Sequence, residues 1–451
     1  MTTRLRSVGM LGMVAILAAA CSSSTPATSA PTAAPVTAAP ATEAPSVAPS
    51  VAASVAPSAA PVTIEWWHIT TGEPGKSTFQ GIADAYMAAH PNVKINITVL
   101  ENEAFKTKLA TSIQSGQVPD LFQSWGGGTM AAQADAGMLK DITTDVASWK
   151  DTVNPGAMSI YSYKGAQYGV PWDMGMIGAW YNKELFTKAG ISAPPTTWDE
   201  FLADVTKLKA IGVAPLAIAG KDQWPSMHIW TYLLLRGGGS AALTQMIQSK
   251  NWNTPECIAA GNEVLKLNAL NPYQPGYKAA TYNDEAASVG NGKAAMEVMG
   301  QWAPSVQKDQ SANKQGLGDK LGWFPFPAIT GGAGAPTDGV GGGNGIAVGK
   351  NAPPEALDFL KFFNSADNAN KLNTANIGLS PVAGTASSIT DPNLQAVAAG
   401  RDKATFMQLY LDQATSPAMG TAINEATVAL FLGASTPEKA CQAITDAAAA
   451  Q

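Results

Sequence analysis

Cysteine is scarce in this chain: of 451 residues only Cys21, Cys257 and Cys441 are cysteines, which excludes a disulfide framework and leaves no CxxC metal pattern. Cys257 and Cys441 are left open as one pair or as two buried thiols. Histidine is equally rare, and His68, His90 and His228 stand far apart without HExxH spacing, so neither a metal site nor a cofactor is expected. Positive charge is short as well: 28 Lys and Arg against 34 Asp and Glu give a net charge of −6, which argues against nucleic acid as a partner. Beyond the first twenty residues no run of eighteen apolar residues occurs, so no membrane span is expected there. A Gly-x-Ser-x-Gly nucleophile elbow and an internal repeat are also missing.

What is present begins with an address. Arg4 and Arg6 precede an apolar stretch over 8–20 that ends in Ala18, Ala19 and Ala20, the order of a secretory signal over 1–20. Cleavage before Cys21 resembles processing at a bacterial lipoprotein box, which implies a diacylglyceryl anchor on Cys21. The match departs at Ala18, where such boxes commonly carry leucine; here Leu17 lies one position earlier. Residues 21–61 are almost entirely Ala, Pro, Ser, Thr and Val with Glu43 as the one charge, and are expected to form an extended tether that gives an anchored domain reach. The remainder, about 390 residues, exceeds what one core usually supports and predicts two domains.

Periodicity predicts an α/β fold. A strand over 64–69 is followed by a helix carrying Phe79, Ile82, Ala83 and Tyr86 up to Pro91, then by alternating Val93, Ile95, Ile97 and Val99. Phe105, Leu109 and Ile113 mark a second helix closed by Gly116, with a short strand over 119–122. Thr197 and Glu200 have capping-box spacing ahead of a helix, 213–219 reads as a strand, and Thr254-Pro255 opens another helix. A strand over 294–299 and helices over 353–364 and 421–432 complete the reading. This alternation predicts a mainly parallel sheet covered by helices.

One string carries a family likeness: Tyr168-Gly169-Val170-Pro171, then Trp180-Tyr181-Asn182-Lys183-Glu184-Leu185-Phe186, then Pro194-Pro195-Thr196-Thr197-Trp198-Asp199-Glu200-Phe201. With Pro119-Asp120, Gly300-Gln301-Trp302 and the glycine loop over 339–345 in the same order, the chain beyond the tether resembles the extracellular solute-binding proteins of carbohydrate ABC importers, similar to maltose-binding protein. The resemblance implies a two-lobe periplasmic-binding-protein-like fold of class II, with three hinge crossings near Pro171, Gly343 and Pro381. Lobe one would comprise 62–171 and 344–380, and lobe two 172–343 and 381–451. It further implies a non-enzymatic monomer outside the cytoplasmic membrane. Such a protein captures a neutral sugar, an oligosaccharide above all, by hinge closure and delivers it to the permease subunits of an importer.

A sugar ring offers an apolar CH face and a polar rim, so its site needs flat aromatics and hydroxyl-matched polar groups. Among twelve tryptophans, Trp180, Trp198 and Trp230 fall inside a strand or on helix stripes and read as core. Trp125, Trp224 and Trp302 stand at element ends, where open α/β sheets place ligands. Trp302 matches the position at which the family stacks an aromatic on sugar, and the glycines after Trp125 would let backbone amides approach hydroxyls. Polar candidates are Asp173, which could equally cap a hinge, and His68, Thr70 and Glu73 at the end of the first strand. Asn344 and Asp338 flank the glycine loop and rank lower, as turn residues. The family's acidic contact two residues past Asp173 falls on Gly175.

Two rival readings fit parts of the sequence. The run 70–77 ends in Gly-Lys-Ser after a strand, like a phosphate-binding loop, but Thr70 replaces the first glycine and Pro74 removes a backbone donor. A secreted, lipid-anchored glycoside hydrolase would need two carboxylates flanking the sugar, which spacing alone does not reveal.

Overall fold

The computed structural model describes residues 60–450. The signal over 1–20, the anchor at Cys21 and all but the end of the tether lie outside the described residues.

The chain opens with β1 (Val62–His68), helix Gly75–Ala89, β2 (Val93–Val99), helix Asn102–Gln114 and β3 (Leu121–Ser124). A hairpin of β4 (Ser162–Tyr163) and β5 (Ala166–Gln167) leads to β6 (Gly169–Pro171), followed by β7 (Gly175–Met176), β8 (Gly178–Asn182), β9 (Ala214–Leu216), β10 (Ala294–Met299) and β11 (Leu321–Pro325). The last strands are β12 (Gly339–Gly342), β13 (Gly345–Val348) and β14 (Met407–Leu409). They form a five-stranded sheet in the order β2-β1-β3-β13-β6, a four-stranded sheet β11-β8-β10-β9 and a three-stranded sheet β14-β12-β7. The chain therefore builds one sheet from its first segment, leaves it after β6, and returns to it with β13.

That return makes the sheets mixed, not mainly parallel as the alternation predicts. β1 runs parallel to β2 and β3, but β13 is antiparallel to both β3 and β6, and β8 is antiparallel to β10 and β11. A strand re-entering from another sheet is not bound by the βαβ crossover that enforces parallel pairing.

Two main apolar cores match this division. Ile64, Trp66, Phe79, Phe359 and Phe363 fill the one behind the five-stranded sheet. Trp198, Phe201, Trp230, Tyr232 and Trp252 fill the other. Trp180, Trp198 and Trp230 are at most 2% exposed, the core role their positions predict. The Thr197 capping box forms as expected, with the Glu200 N–H donating to Thr197 Oγ1 and the Thr197 N–H to Glu200 Oε2.

Three local departures have physical causes. The strand expected over 213–219 shortens to β9, an edge strand holding Pro215, which lacks the N–H to extend a ladder. The glycine loop over 339–345 is strand β12 plus a tight link into β13. Helix Trp224–Ser249 carries no amphipathic signal because most of its first half is buried on all sides; it breaks at Gly239, whose φ is 80°. Among the described residues no helix is long and apolar enough to cross a membrane.

Candidate functional site

A cavity of about 380 Å³ opens where the C-terminal ends of strands from both main sheets face each other. From the five-stranded sheet it receives Ile69 to Gly72 after β1, Asn102, Glu103 and Lys106 from the helix after β2, and Trp125 after β3. Opposite stand Asp222, Trp224, His228, Tyr282 and Trp302, with Asn344, Tyr410, Asp412 and Gln413 at its base. Strand ends collect here because parallel strands deliver their following loops to one edge.

The far wall is an aromatic nest. Trp224 lies 5.0 Å from Tyr282, 5.4 Å from His228 and 6.5 Å from Trp302 between ring centroids. Trp302 meets Tyr410 at 5.9 Å with planes 84° apart. Across the cavity, the Lys106 ammonium is 5.8 Å from the Trp125 ring and 5.9 Å from that of Trp224, and is paired to Glu103 Oε1 at 2.8 Å. Burial depresses the His228 pKa to about 3, so its imidazole is neutral at physiological pH. Its Nδ1, Trp224 Nε1, Tyr410 Oη and Gln413 Oε1 are buried without a hydrogen-bond partner. Such atoms gain free energy from any partner that brings hydroxyls to them.

Of the candidates read from sequence, Trp302, Trp125, Trp224, Thr70 and Asn344 line this cavity. Four others do not: Asp338 is buried and accepts the Thr405 hydroxyl, and the remaining three are held elsewhere. His68 is 2% exposed because alternation along β1 puts it on the core face with Ile64 and Trp66; its ring lies 5.0 Å from Trp66 and from Phe79, and its Nδ1 accepts the Thr70 N–H. Glu73 turns to its own helix, accepting the Ser77 N–H, as a carboxylate at a helix start should. Asp173 is fully buried outside the cavity. Two of the glycine amides after Trp125 are engaged within the fold: the Gly126 N–H donates to Ser124 Oγ and the Gly127 N–H to the Ile160 carbonyl as helix Gly127–Asp135 begins.

Sequence reasoning missed Lys106, His228, Tyr282 and Tyr410. The strand-end rule that selected Thr70 would also have pointed to the helix start at 102–106. Nothing local marks Tyr410, which reaches the base only through the pairing of β14 with β12.

Behind the aromatic wall Glu285 and Glu297 are both buried, and Gln307 Nε2 donates to Glu297 Oε1 at 2.6 Å. Burial pushes Glu297 up to about 7, and burial together with the Glu297 charge holds Glu285 well above the usual carboxylate range. A folded-state pKa above the unfolded value means that stability is complete below about 4.5 and is lost as pH rises through about 7. Glu297→Gln should flatten that decline in urea unfolding measured across the range; an unchanged slope would show that Glu297 ionises freely. Neither carboxyl lines the cavity, so they are not placed to flank a sugar as hydrolysis would require. Among the described residues no cluster of three or more His, Cys, Asp or Glu could hold a metal ion.

Residues 70–370 match the family described as bacterial extracellular solute-binding protein. An uncharacterized ABC transporter extracellular-binding protein of Pyrococcus horikoshii is 28% identical over 254 residues, 53% of this chain and 56% of that protein. The multiple sugar-binding protein of Streptococcus mutans is 27% identical over 292 residues, 60% of this chain and 62% of that one. The chain thus spans less than two thirds of the length of these relatives. A solved structure from work on xylan utilization by Caldanaerobius polysaccharolyticus superposes with a TM-score of 0.79 at 27% identity, covering 85% of this chain and 99% of that one.

Proposed function

The chain belongs to the family of bacterial extracellular solute-binding proteins, and from that premise we propose that it captures a neutral oligosaccharide in the cavity between Trp125, Trp224 and Trp302 and delivers it to an ABC-type importer. The observation that carries this reading is the aromatic nest at the strand ends. Three indoles supply apolar platforms for sugar CH faces, and the unpaired atoms of His228, Tyr410 and Gln413 supply partners for hydroxyls. A relative named for multiple sugars and a structural neighbour from xylan utilization support the same ligand class.

Capture would work by closure of two lobes, 62–171 with 344–380 and 172–343 with 381–451, about the segments near Pro171, Gly343 and Pro381. Each chain exit and return between the sheets supports that division. A lipid on Cys21 and a tether over 21–61 would hold the monomer at the outer face of the cytoplasmic membrane, within reach of the permease subunits.

Titration with xylotriose, maltotriose, raffinose and chitotriose, followed by tryptophan fluorescence and calorimetry, tests the reading. At least one sugar should give a saturable change and be recovered intact. Absence of binding to all four would overturn oligosaccharide capture, and release of reducing ends would point to hydrolysis.

A further inference from the structure

The chain passes between the five-stranded sheet and the rest of the fold over 172–174 and over 343–344, and a third segment, 377–389, alternates between them, with Ile377 and Val382 in the core behind the five-stranded sheet and Leu379 and Ile389 in another. One side chain touches all three segments. Asp173 lies in the first; its Oδ2 accepts from Asn344 Nδ2 in the second at 2.8 Å, and its Oδ1 accepts the Leu379 N–H in the third at 2.7 Å. Oδ2 also accepts from Gln301 Nε2 at 2.6 Å, and Gln301 immediately precedes the cavity residue Trp302. The backbone repeats the connections, with the Trp172 and Asp173 N–H groups donating to the Asn344 carbonyl and the Met174 N–H to that of Leu379.

The space around this carboxylate is reserved by absent side chains. A Cβ at Gly175 would lie 2.1 Å from Gln301 Oε1, and one at Gly343 would lie 1.5 Å from the Asp173 carbonyl oxygen. Gly175 is the position where the family resemblance implies an acidic ligand. Here the Gln301 carboxamide occupies that room and links the crossing to the Trp302 segment.

We propose that Asp173 is a positioning residue that locks the three crossings and the Gln301-Trp302 shelf into one unit, so that lobe closure and placement of Trp302 occur together. This rests on the sugar-binding reading above. Three N–H donors converge on two carboxylate oxygens; an asparagine there would offer one oxygen and turn an NH2 toward the remaining donor. Arg401 also lies close, donating from Nη1 to the Met174 carbonyl, and Tyr161 and Tyr410 are near enough that burial, with the Asp173 charge added to it, holds their hydroxyls well above the usual range. Burial lifts Asp173 to about 6 against the pull of its hydrogen bonds and of Arg401. Below that pH a proton replaces an acceptor with a donor in a cluster already full of donors.

The test uses the full chain and Asp173→Asn. Affinity for the best of the four sugars is measured by calorimetry at about pH 5 and about pH 8, and the inter-lobe distance by spin labels on Ala85→Cys and Lys188→Cys. The wild type should lose affinity several-fold at the lower pH. The variant should bind about tenfold more weakly at the higher pH, show no pH step, and have a broadened distance distribution without sugar. Wild-type affinity and pH profile in the variant would overturn the proposal. Should the variant fail to fold, Gln301→Leu severs only the shelf arm and must still lower affinity; if it does not, the coupling is refuted. A wild type that binds none of the sugars defeats the sugar reading instead, and the clamp is then judged on the distance distribution alone, which must broaden in Asp173→Asn.

Discussion

Trp302→Ala should cost the best-bound oligosaccharide about 2 kcal/mol of binding free energy, roughly a 30-fold loss of affinity. Trp302 follows β10 at the centre of the aromatic wall, touching Trp224, His228 and Tyr410. Removing the indole takes away a sugar platform and admits water beside buried polar atoms, so the loss exceeds the ~0.5–1.5 kcal/mol assigned to an aromatic contact beyond burial. Trp302→Phe should recover part of it. The thermal midpoint should move little, because Trp302 is only partly buried where it borders the cavity. Calorimetry that returned unchanged affinity would remove Trp302 from the site.

Converting both Cys257 and Cys441 to alanine should lower stability by about 3–5 kcal/mol. The structure joins these residues in a disulfide, tying helix Pro255–Ala269 to helix Pro437–Ala449 across a sequence separation of 184. A loop of that length restricts the unfolded chain strongly, and the chain-entropy estimate alone reaches about 5 kcal/mol. For a domain of this size the loss corresponds to a fall in thermal midpoint of roughly 5 °C. A disulfide agrees with the extracellular setting of the family. Scanning calorimetry of the double variant checks the figure; an unshifted midpoint would mean the bridge contributes nothing.

Much of the fold is legible locally. The β-α-β unit from β1 to β2, the capping box at Thr197 and the buried stripe behind it, and the core tryptophans Trp180, Trp198 and Trp230 follow from period and cap chemistry that neighbours in sequence settle by themselves. The same alternation should have kept His68 out of the candidate site, since residues 64, 66 and 68 share a face and the first two are plainly core. Helix Trp224–Ser249 escaped because burial on every side erases the stripe that betrays a surface helix.

By itself, then, the sequence determined the α/β class, the family likeness and the strand ends at which Trp125, Trp224 and Trp302 stand, because these depend on spacing along the chain. Only the tertiary structure decided that Lys106 and Tyr410 meet those indoles, that Cys257 and Cys441 pair, and that Asp173 turns inward to accept from Gln301, Asn344 and Leu379. Each of those contacts joins residues far apart in sequence, and their meeting is set by the order in which strands leave and re-enter the sheets.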